Sequence, residues 1–394
     1  MSVKEPSLAV RPRPAPFFLR RQFLRPFAPV ASLTVVGLVA LLVFANLLLP
    51  FTRLVTLDGA MGTHVSFFND ERVRELLLRH HMQVHVTRKG SREIANINLD
   101  AFDFVFPSGQ LAANQITQRQ PSAGRYRPFV SYIVLATYRG YAETLRDAGA
   151  ATPQNASGFD RPYYYTLDMD RFLNLIHAQK SWNDVKSGAH GVPNGNKVLA
   201  QTTDLCTSNG AAAYLGLVSF ATHDKTPTTE DEAIAFATEI KPLLDQGLPT
   251  NTPERYFIPE GKGNAPIIVM YEHQYLAYQL HHRERFGELD GDRVLLYPDP
   301  ASLTDPELIT LHPDADRLGD LLNTDPDLRR RELELGLRVG DPTRESSSDQ
   351  LPTFLAERDV PRPADINTRA VLPNVPRLEM MLSVAGDCPP VVPE

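Results

Sequence analysis

The pattern of apolar and polar positions after residue 52 alternates between two periods. Apolar residues alternate or run together in seven short segments, which predicts strands over 53–57, 83–87, 102–106, 129–138, 197–202, 266–271 and 293–297. Spacings of three and four predict helices over 70–80, 108–116, 170–182, 209–220, 231–244 and 272–279. The small residues 59–62 predict a turn. Strands that alternate with helices of this length are typical of a parallel-rich α/β chain.

One apolar segment before this alternation is too long for a strand. Residues 26–52 carry no charged side chain, and such a run can span a hydrocarbon core, which needs about 20 residues. Six basic residues and a single acid, Glu5, precede it, and basic residues favour the cytoplasmic side. We therefore predict a cytoplasmic tail over 1–28, one transmembrane helix over 29–52, and an extracytoplasmic remainder on a single-pass protein of the cell membrane.

A cleaved export signal is the alternative for this segment. The run from Arg20 to Arg25 resembles a twin-arginine signal, but we favour ordinary positive flanking charge as its explanation. The apolar run is longer than the core of a typical signal peptide, and no clear small-x-small cleavage site follows it. We therefore favour an uncleaved signal anchor.

Charge and composition narrow the class of the outer part. The whole chain carries −7 and its first 25 residues carry +5, which leaves −12 for the remainder and excludes nucleic acid as a partner. With 42% hydrophobic and 22% charged residues, the composition is that of a globular chain. Prolines cluster in 1–29 and 352–393, and the second cluster predicts an irregular C-terminal wrap over 341–394.

The motifs of metal sites and of common enzymes are missing from the sequence. Cys206 and Cys388 are either free thiols or, outside the membrane, a disulfide, and the sequence leaves both open. The pairs His80–His81 and His281–His282 lie on charged helices, so we predict no metal site. Neither a nucleophile elbow nor a phosphate-binding loop occurs, so we predict no enzyme and no cofactor.

Small polar residues are concentrated at three predicted strand-to-helix junctions, 105–109, 202–210 and 270–274. Ligands of α/β sheets bind at the carboxyl ends of strands, where helix N-termini offer free N–H groups. Ser108, Ser208 and Asn209 are therefore ligand contacts or ordinary helix caps. Two acids at these junctions also have two possible roles each. Asp204 binds a cationic group or braces its loop, and Glu272 faces the cleft or forms a structural ion pair.

In this order the junctions resemble sequence blocks of bacterial extracellular solute-binding proteins with the type 2 periplasmic-binding fold. Residues 202–210 (TTDLCTSNG) resemble the block Ser-Thr-Asp-Pro-x-x-Ser-Asn-Ser-Gly, and residues 271–274 (YEHQ) resemble Tyr-Glu-Ser-Gln. Residues 87–93, 103–110 and 131–135 match further blocks of the same proteins. The chain departs from them at Gly210 and His273, where they have serine, and at Tyr132, where they have proline.

The resemblance implies a two-lobed clamp with the first lobe over 53–136 and 289–340 and the second over 137–288. It implies binding of a small polar ligand, with an oxyanion as one candidate, for an ABC-type importer with its membrane permease. The ligand contacts that it implies, or that the junctions suggest, are Thr63, Ser91, Ser108, Gly109, Ser131, Thr203, Asp204, Ser208, Asn209, Tyr271 and Glu272.

Two other functions stay open at this point. One is a membrane-anchored sensor or scaffold that keeps the clamp fold without transport, with a cleft plugged by side chains such as Met61, Tyr132 or His273. The other is an extracytoplasmic hydrolase, which would bring two carboxylates or a Ser–His pair together in the cleft.

Overall fold

The computed structural model describes residues 34, 54–62, 64–156, 158–248, 256–258, 261–340 and 349–389. Apart from Thr34, the predicted tail and transmembrane helix lie outside these residues, as does Thr63. Within the described part of the chain, no helix is both long and apolar enough to cross a membrane. From Val55 onward the described residues form one compact unit.

The first sheet has five strands in the order β2–β1–β3–β13–β4. Their bounds are β1 Val55–Met61, β2 Met82–Arg88, β3 Phe104–Phe106, β4 Gly124–Tyr126 and β13 Leu308–Thr310. Strand β1 pairs in parallel with β2 and β3, and β13 pairs antiparallel with β3 and β4. This sheet and the helices that pack on it form the first lobe.

The second sheet follows the order β6–β7–β11–β5–β10–β8–β9, and β12 and β14 also pair with β5. The bounds are β5 Phe129–Tyr138, β6 Ala151–Gln154, β7 Tyr164–Asp168, β8 Gln201–Thr203, β9 Asp245–Leu248, β10 Ile267–Tyr271, β11 Arg293–Asp299, β12 Ser302–Thr304 and β14 Arg338–Val339. The second sheet and its helices form the second lobe.

Strand β5 is the main connection between the lobes. All ten of its residues are buried, as is typical of a strand that is covered on both faces. Phe129 packs in the core of the first lobe, and the residues from Tyr132 onward pack in the core of the second. Strand β11 still belongs to the second sheet, because it pairs with β5 and β7. The chain therefore returns to the first sheet only at β13. The sequence placed this return earlier, near residue 289.

The described helices flank both sheets. Their bounds are α1 Val65–Asn69, α2 Glu71–Arg79, α3 Ser91–Ile94, α4 Gln110–Arg119, α5 Arg139–Asp147, α6 Met169–His177, α7 Asn209–His223, α8 Glu230–Ile240, α9 Gly261–Asn264, α10 Glu272–Phe286, α11 Asp316–Thr324, α12 Pro326–Glu334, α13 Leu351–Ala356 and α14 Val375–Ala385. Helix α2 shows why the apolar spacing predicted a helix over 70–80. The Asp70 carboxylate accepts from the Val73 amide at 3.0 Å, and the repeating apolar residues face the core.

Three local predictions were wrong. The predicted turn at 59–62 is mostly strand, because Gly59 leaves room for the ring of Phe104, which a Cβ would approach to 2.2 Å. Of the predicted strand 197–202, only residues 201 and 202 belong to the observed strand β8, which continues to Thr203. The proline-rich wrap contains α13 and α14, because Pro352 and Pro376 occupy first-turn positions, where proline is tolerated.

Candidate functional site

A cavity of about 280 Å³ lies between the two sheets, at the ends of strands from both lobes. Gly62 follows β1, Lys89 follows β2, Thr203 ends β8 and Tyr271 ends β10. The lining residues are Gly62, Arg88, Lys89, Gly90, Ser91, Glu93, Ile133, Thr202, Thr203, Thr207, Ser208, Asn209, Gly210, Val269, Met270, Tyr271 and Gln274. The cavity therefore occupies the position where α/β sheets bind ligands.

The first-lobe wall includes Ser91, and the buried Ser108, another predicted contact, lies next to it without lining the cavity. Ser91 Oγ accepts a hydrogen bond from the Ser108 amide at 2.9 Å. A Cβ on Gly62, which lines the cavity, would lie 3.0 Å from Ser108 Oγ and 3.1 Å from Ser91 Oγ, so only a residue without a side chain leaves room next to both hydroxyls. Ser108 Oγ is buried and has no hydrogen-bond partner within the described residues. Such an orphaned hydroxyl is costly unless a bound molecule satisfies it.

The second-lobe wall is the loop that leads into α7. Ser208 caps this helix: its Oγ accepts from the Ala211 amide at 3.4 Å and from Thr203 Oγ1 at 2.7 Å. Asn209 Nδ2 donates to Tyr271 Oη at 3.3 Å. Ser208 is therefore a helix cap, one of the two roles considered from the sequence, and it also lines the cavity, so its role as a ligand contact stays a prediction.

Asp204 braces this loop and does not line the cavity. Its carboxylate accepts from the amide of Thr207 at 2.9 Å and from the hydroxyl of Thr207 at 3.0 Å. This arrangement fits the bracing role considered from the sequence. The carboxylate of Asp204 therefore forms its hydrogen bonds within the loop.

Glu272 and Ser131 also lie away from the cavity wall. The fully buried Glu272 carboxylate receives two N–H groups of Arg338, each at 2.7 Å, and the hydroxyl of Tyr297 at 2.6 Å. Glu272 is therefore half of a structural ion pair, one of the two roles considered from the sequence. Ser131 Oγ lies 3.1 Å from His273 Nδ1, and both residues are buried.

The lobes meet directly beside the cavity at two glycines. A Cβ on Gly90 would lie 2.1 Å from the carbonyl oxygen of Thr207, and one on Gly109 would lie 2.6 Å from the amide group of Asn209. Gly90 and Gly109 belong to the first lobe, whereas Thr207 and Asn209 belong to the second. The predicted residue Gly109 thus contributes to closure of the cleft.

A cluster of buried rings fills the space between the lobes next to the cavity. The centroid of the His64 ring lies 5.0 Å from that of His273, 5.3 Å from that of Phe129 and 5.6 Å from that of Tyr271. Neither ring nitrogen of His64 has a hydrogen-bond partner within the described chain. Burial lowers the pKa of His64 to about 4, and burial followed by the nearby His64 lowers the pKa of His273 well below its usual value. Both imidazoles are therefore neutral near pH 7.

The charge at the cavity is basic on balance. Arg88, Lys89 and Glu93 are its charged lining residues. Lys89 Nζ lies 2.6 Å from a carboxylate oxygen of Glu93, and the other oxygen accepts from the Gly90 amide at 3.3 Å. The carboxylate of Glu93 is therefore paired, and it is the one acidic group among the lining residues. Such a wall favours an anionic or neutral ligand over a cation.

Five of the predicted contacts line the cavity, namely Ser91, Thr203, Ser208, Asn209 and Tyr271. Lys89 and Gly62 were not predicted, although Lys89 lies within the block 87–93 that carried the resemblance. Gln274 was missed as well. Its Oε1 accepts from the Tyr271 amide at 3.0 Å, and it lies in the Tyr-Glu-His-Gln block. In the described part of the chain, no group of three or more His, Cys, Asp or Glu side chains could hold a metal ion.

No protein-family model matches the sequence, and no curated protein sequence matches it. Solved structures do match. Iron-bound HitA from Pseudomonas aeruginosa is 13% identical with a TM-score of 0.51, and the match covers 84% of this chain and 99% of that chain. The ferric binding protein from Campylobacter jejuni is 11% identical with a TM-score of 0.50, covering 84% and 97%. A two-component system protein of signal transduction is 11% identical with a TM-score of 0.50, covering 83% and 100%.

At these identities the likeness concerns the fold. The chain has the mixed α/β, two-sheet fold of periplasmic-binding proteins, which confirms the α/β part of the predicted fold. The transmembrane helix predicted before it stays a prediction.

Proposed function

We propose that this protein is an extracytoplasmic solute-binding protein that captures a small polar ligand between its two lobes. The observation that carries the proposal is the cavity of about 280 Å³ at the strand ends, lined by hydroxyl and amide groups from both lobes. Ligand pockets usually measure about 300–1,000 Å³, so this one suits a molecule at the small end of the range. The fold supports the proposal, because the matched structures include iron-bound HitA and a ferric binding protein.

The charges of the wall support an oxyanion or a neutral polar molecule as the ligand. Two acids were predicted at the site. The carboxylate of Asp204 accepts hydrogen bonds from Thr207, and that of Glu272 is paired with Arg338. The remaining acid, Glu93, is paired with Lys89. The hydroxyls of Ser91 and Ser208, by contrast, accept hydrogen bonds within the structure and can donate their own protons to an acceptor-rich ligand. Delivery of this ligand to an ABC-type permease is the further step of the proposal.

Native mass spectrometry of the full chain in detergent tests this function. We expect a small mass that is lost on mild denaturation, or uptake of a mass from a panel of phosphate, sulfate, molybdate, sugars and amino acids. Gly62→Val should abolish binding, because its side chain would cover the hydroxyls of Ser91 and Ser108. Gly263→Val is the matched control, since a Cβ there meets nothing within 4 Å. A wild-type chain that retains no mass and responds to no member of the panel would contradict the proposal.

A sensor or scaffold is the second candidate, because the cleft is partly plugged. The rings of His64 and His273 are buried against each other where the lobes meet, and His273 was named from the sequence as a plug. Met61, also named as a plug, is buried in the core of the first lobe instead. The two-component system protein among the matched structures is compatible with this candidate. The same mass measurement separates the two: a bound ligand favours the receptor, and an empty chain favours the scaffold.

A hydrolase is not proposed. The Ser131–His273 pair has a suitable Oγ to Nδ1 distance of 3.1 Å, but neither residue lines the cavity and both are buried. Ser131 Oγ also accepts from the amide of His273 at 3.4 Å, which uses the hydroxyl within the structure.

We also propose that residues 29–52 anchor the protein with its N-terminus inside. The support is the uncharged run of the sequence and the basic residues that precede it. Protease added to intact cells should then digest the chain after residue 52. Protection of this part, with digestion only after lysis, would contradict the orientation.

A further inference from the structure

The C-terminal helix α14 is attached to the second lobe in three ways. Its apolar side chains Leu378, Met381 and Leu382 are buried against α7 and α8. Lys241 Nζ, beyond the end of α8, donates to Asp387 at 2.7 Å and to the carbonyl oxygen of Val384 at 3.1 Å. The disulfide between Cys206 and Cys388 then joins the segment after α14 to the loop that lines the cavity. The helix therefore moves with the second lobe.

The same helix reaches the first lobe through Arg92 of α3. Arg92 Nε donates to Glu379 of α14 at 2.9 Å, a second N–H of the guanidinium contacts the other Glu379 oxygen, and Nη1 donates to the carbonyl oxygen of Cys206 at 2.8 Å. The Arg92 side chain is 10% exposed and that of Glu379 is 23% exposed. An ion pair with two parallel hydrogen bonds and little exposure is stronger than a surface pair.

Apolar packing accompanies this ion pair. Ala112 of the first-lobe helix α4 faces Leu378 and Leu382 of α14, and the gap among these residues is about 10 Å³. Helix α14 therefore closes one side of the cleft through both a charged and an apolar contact.

We propose that α14 is a clasp that holds the two lobes together over the cavity. Arg92 lies between Ser91 and Glu93, which line the first-lobe wall, and Cys206 lies in the loop of the second-lobe wall. When the first lobe swings away, the three hydrogen bonds of Arg92 must break, because the disulfide keeps α14 on the second lobe. The clasp thereby sets how often the cavity opens. This inference goes beyond solute binding and holds for a receptor or a sensor.

The distance between the lobes tests the clasp without any ligand. Spin labels on Arg79→Cys in α2 and Asp170→Cys in α6 report on exposed positions of the two lobes in the full chain in detergent, while the native cysteines are occupied by their disulfide. We expect Glu379→Gln to add a longer-distance population and to raise the open-to-closed ratio about tenfold, the effect of losing one charge-assisted pair.

The matched control is Glu230→Gln. Glu230 pairs with Arg377 of the same helix at 3.4 Å, but both residues belong to the second-lobe side, so the distances should stay as in the parent. Arg92→Gln probes the clasp from the first lobe and should reproduce the effect of Glu379→Gln. Circular dichroism confirms that each variant is folded. Parent-like distances in both folded clasp variants, or an equal change in Glu230→Gln, would overturn the proposal.

Discussion

Gly90 of the first lobe lies against the carbonyl oxygen of Thr207 in the second lobe, and a Cβ on residue 90 would be 2.1 Å from that oxygen. Real Cβ atoms do not approach oxygen so closely, so the lobes can meet here only because residue 90 has no side chain. The contact lies beside Ser91 and Thr207, which both line the cavity. This contact between the lobes therefore requires glycine at position 90.

Replacement of Gly90 by alanine should force the lobes apart. Because the obstacle is backbone and cannot rotate away, we expect the free energy of unfolding to fall by about 1–3 kcal/mol, the usual cost of overpacking. Chemical denaturation of the two proteins measures the difference. Gly263→Ala is the control, since its Cβ meets nothing within 4 Å. Equal stability of the two variants would show that the lobes do not meet at Gly90.

Much of the fold was predictable because local pattern and burial agree. The uninterrupted apolar run 129–138 became β5, which is buried throughout, and the apolar spacing of α2 matched its buried face. The errors came from interactions that are distant in sequence. The role of Gly59 depends on Phe104 of a neighbouring strand, and no local signal distinguishes this packing from a turn.

The candidate site was predictable to the extent that it lies on contiguous junctions. Thr203, Ser208 and Asn209 share one strand-to-helix junction, and all three line the cavity. Asp204 is held by Thr207, three residues away, whereas other ion pairs near the site join residues that are distant in sequence. Glu272 pairs with Arg338, 66 residues away, and Arg92 pairs with Glu379, 287 residues away. Pairing over such separations requires the tertiary structure, so the sequence left the role of Glu272 open.

Removal of one partner from the buried Glu272–Arg338 pair should be strongly destabilising. Glu272→Ala leaves the buried guanidinium of Arg338 without its main partner, and we expect a loss of about 3–5 kcal/mol in the free energy of unfolding. The double variant Glu272→Leu with Arg338→Met should recover part of this loss, because it leaves neither charge of the pair behind.

Denaturant titration measures both variants, and Glu75→Ala provides the control. Glu75 forms an exposed pair with Arg72, so its removal should cost about 0–1 kcal/mol. A loss for Glu272→Ala as small as that of Glu75→Ala would refute a structural role for the buried pair.

His64 should make the protein less stable in mild acid. Its pKa is lowered to about 4 in the folded state, whereas it is 6.5 in the unfolded chain. As the pH falls below 6.5, the unfolded state binds a proton that the folded state does not, so stability falls until about pH 4. The loss over this window is about 3 kcal/mol from His64 alone.

The variant His64→Phe should reduce this dependence of stability on pH between 6.5 and 4. Some dependence remains in this variant, because burial also lowers the pKa of His273. Stability measured by denaturation at several pH values gives the slope. His85→Phe, at a half-exposed position on β2, is the control for the loss of a histidine. An unchanged slope in His64→Phe would mean that His64 is accessible to protons in the folded state.

Glu332 should make the protein less stable as the pH rises, whereas His64 makes it less stable as the pH falls. Its side chain on α12 is fully buried, neither carboxyl oxygen has a partner within the described residues, and burial raises its pKa well above 4.5. The folded state therefore keeps the carboxyl protonated, while the unfolded chain ionises it. The resulting stability is fully present below pH 4.5 and is lost as the pH rises toward the folded-state pKa.

Glu332→Gln cannot ionise, so its stability should lack this decline. Glu334 is the last residue of the same helix and is paired with Arg331. The control variant Glu334→Gln should keep the decline in stability. Parallel stability–pH curves for Glu332→Gln and the parent would show that Glu332 is already ionised in the folded protein.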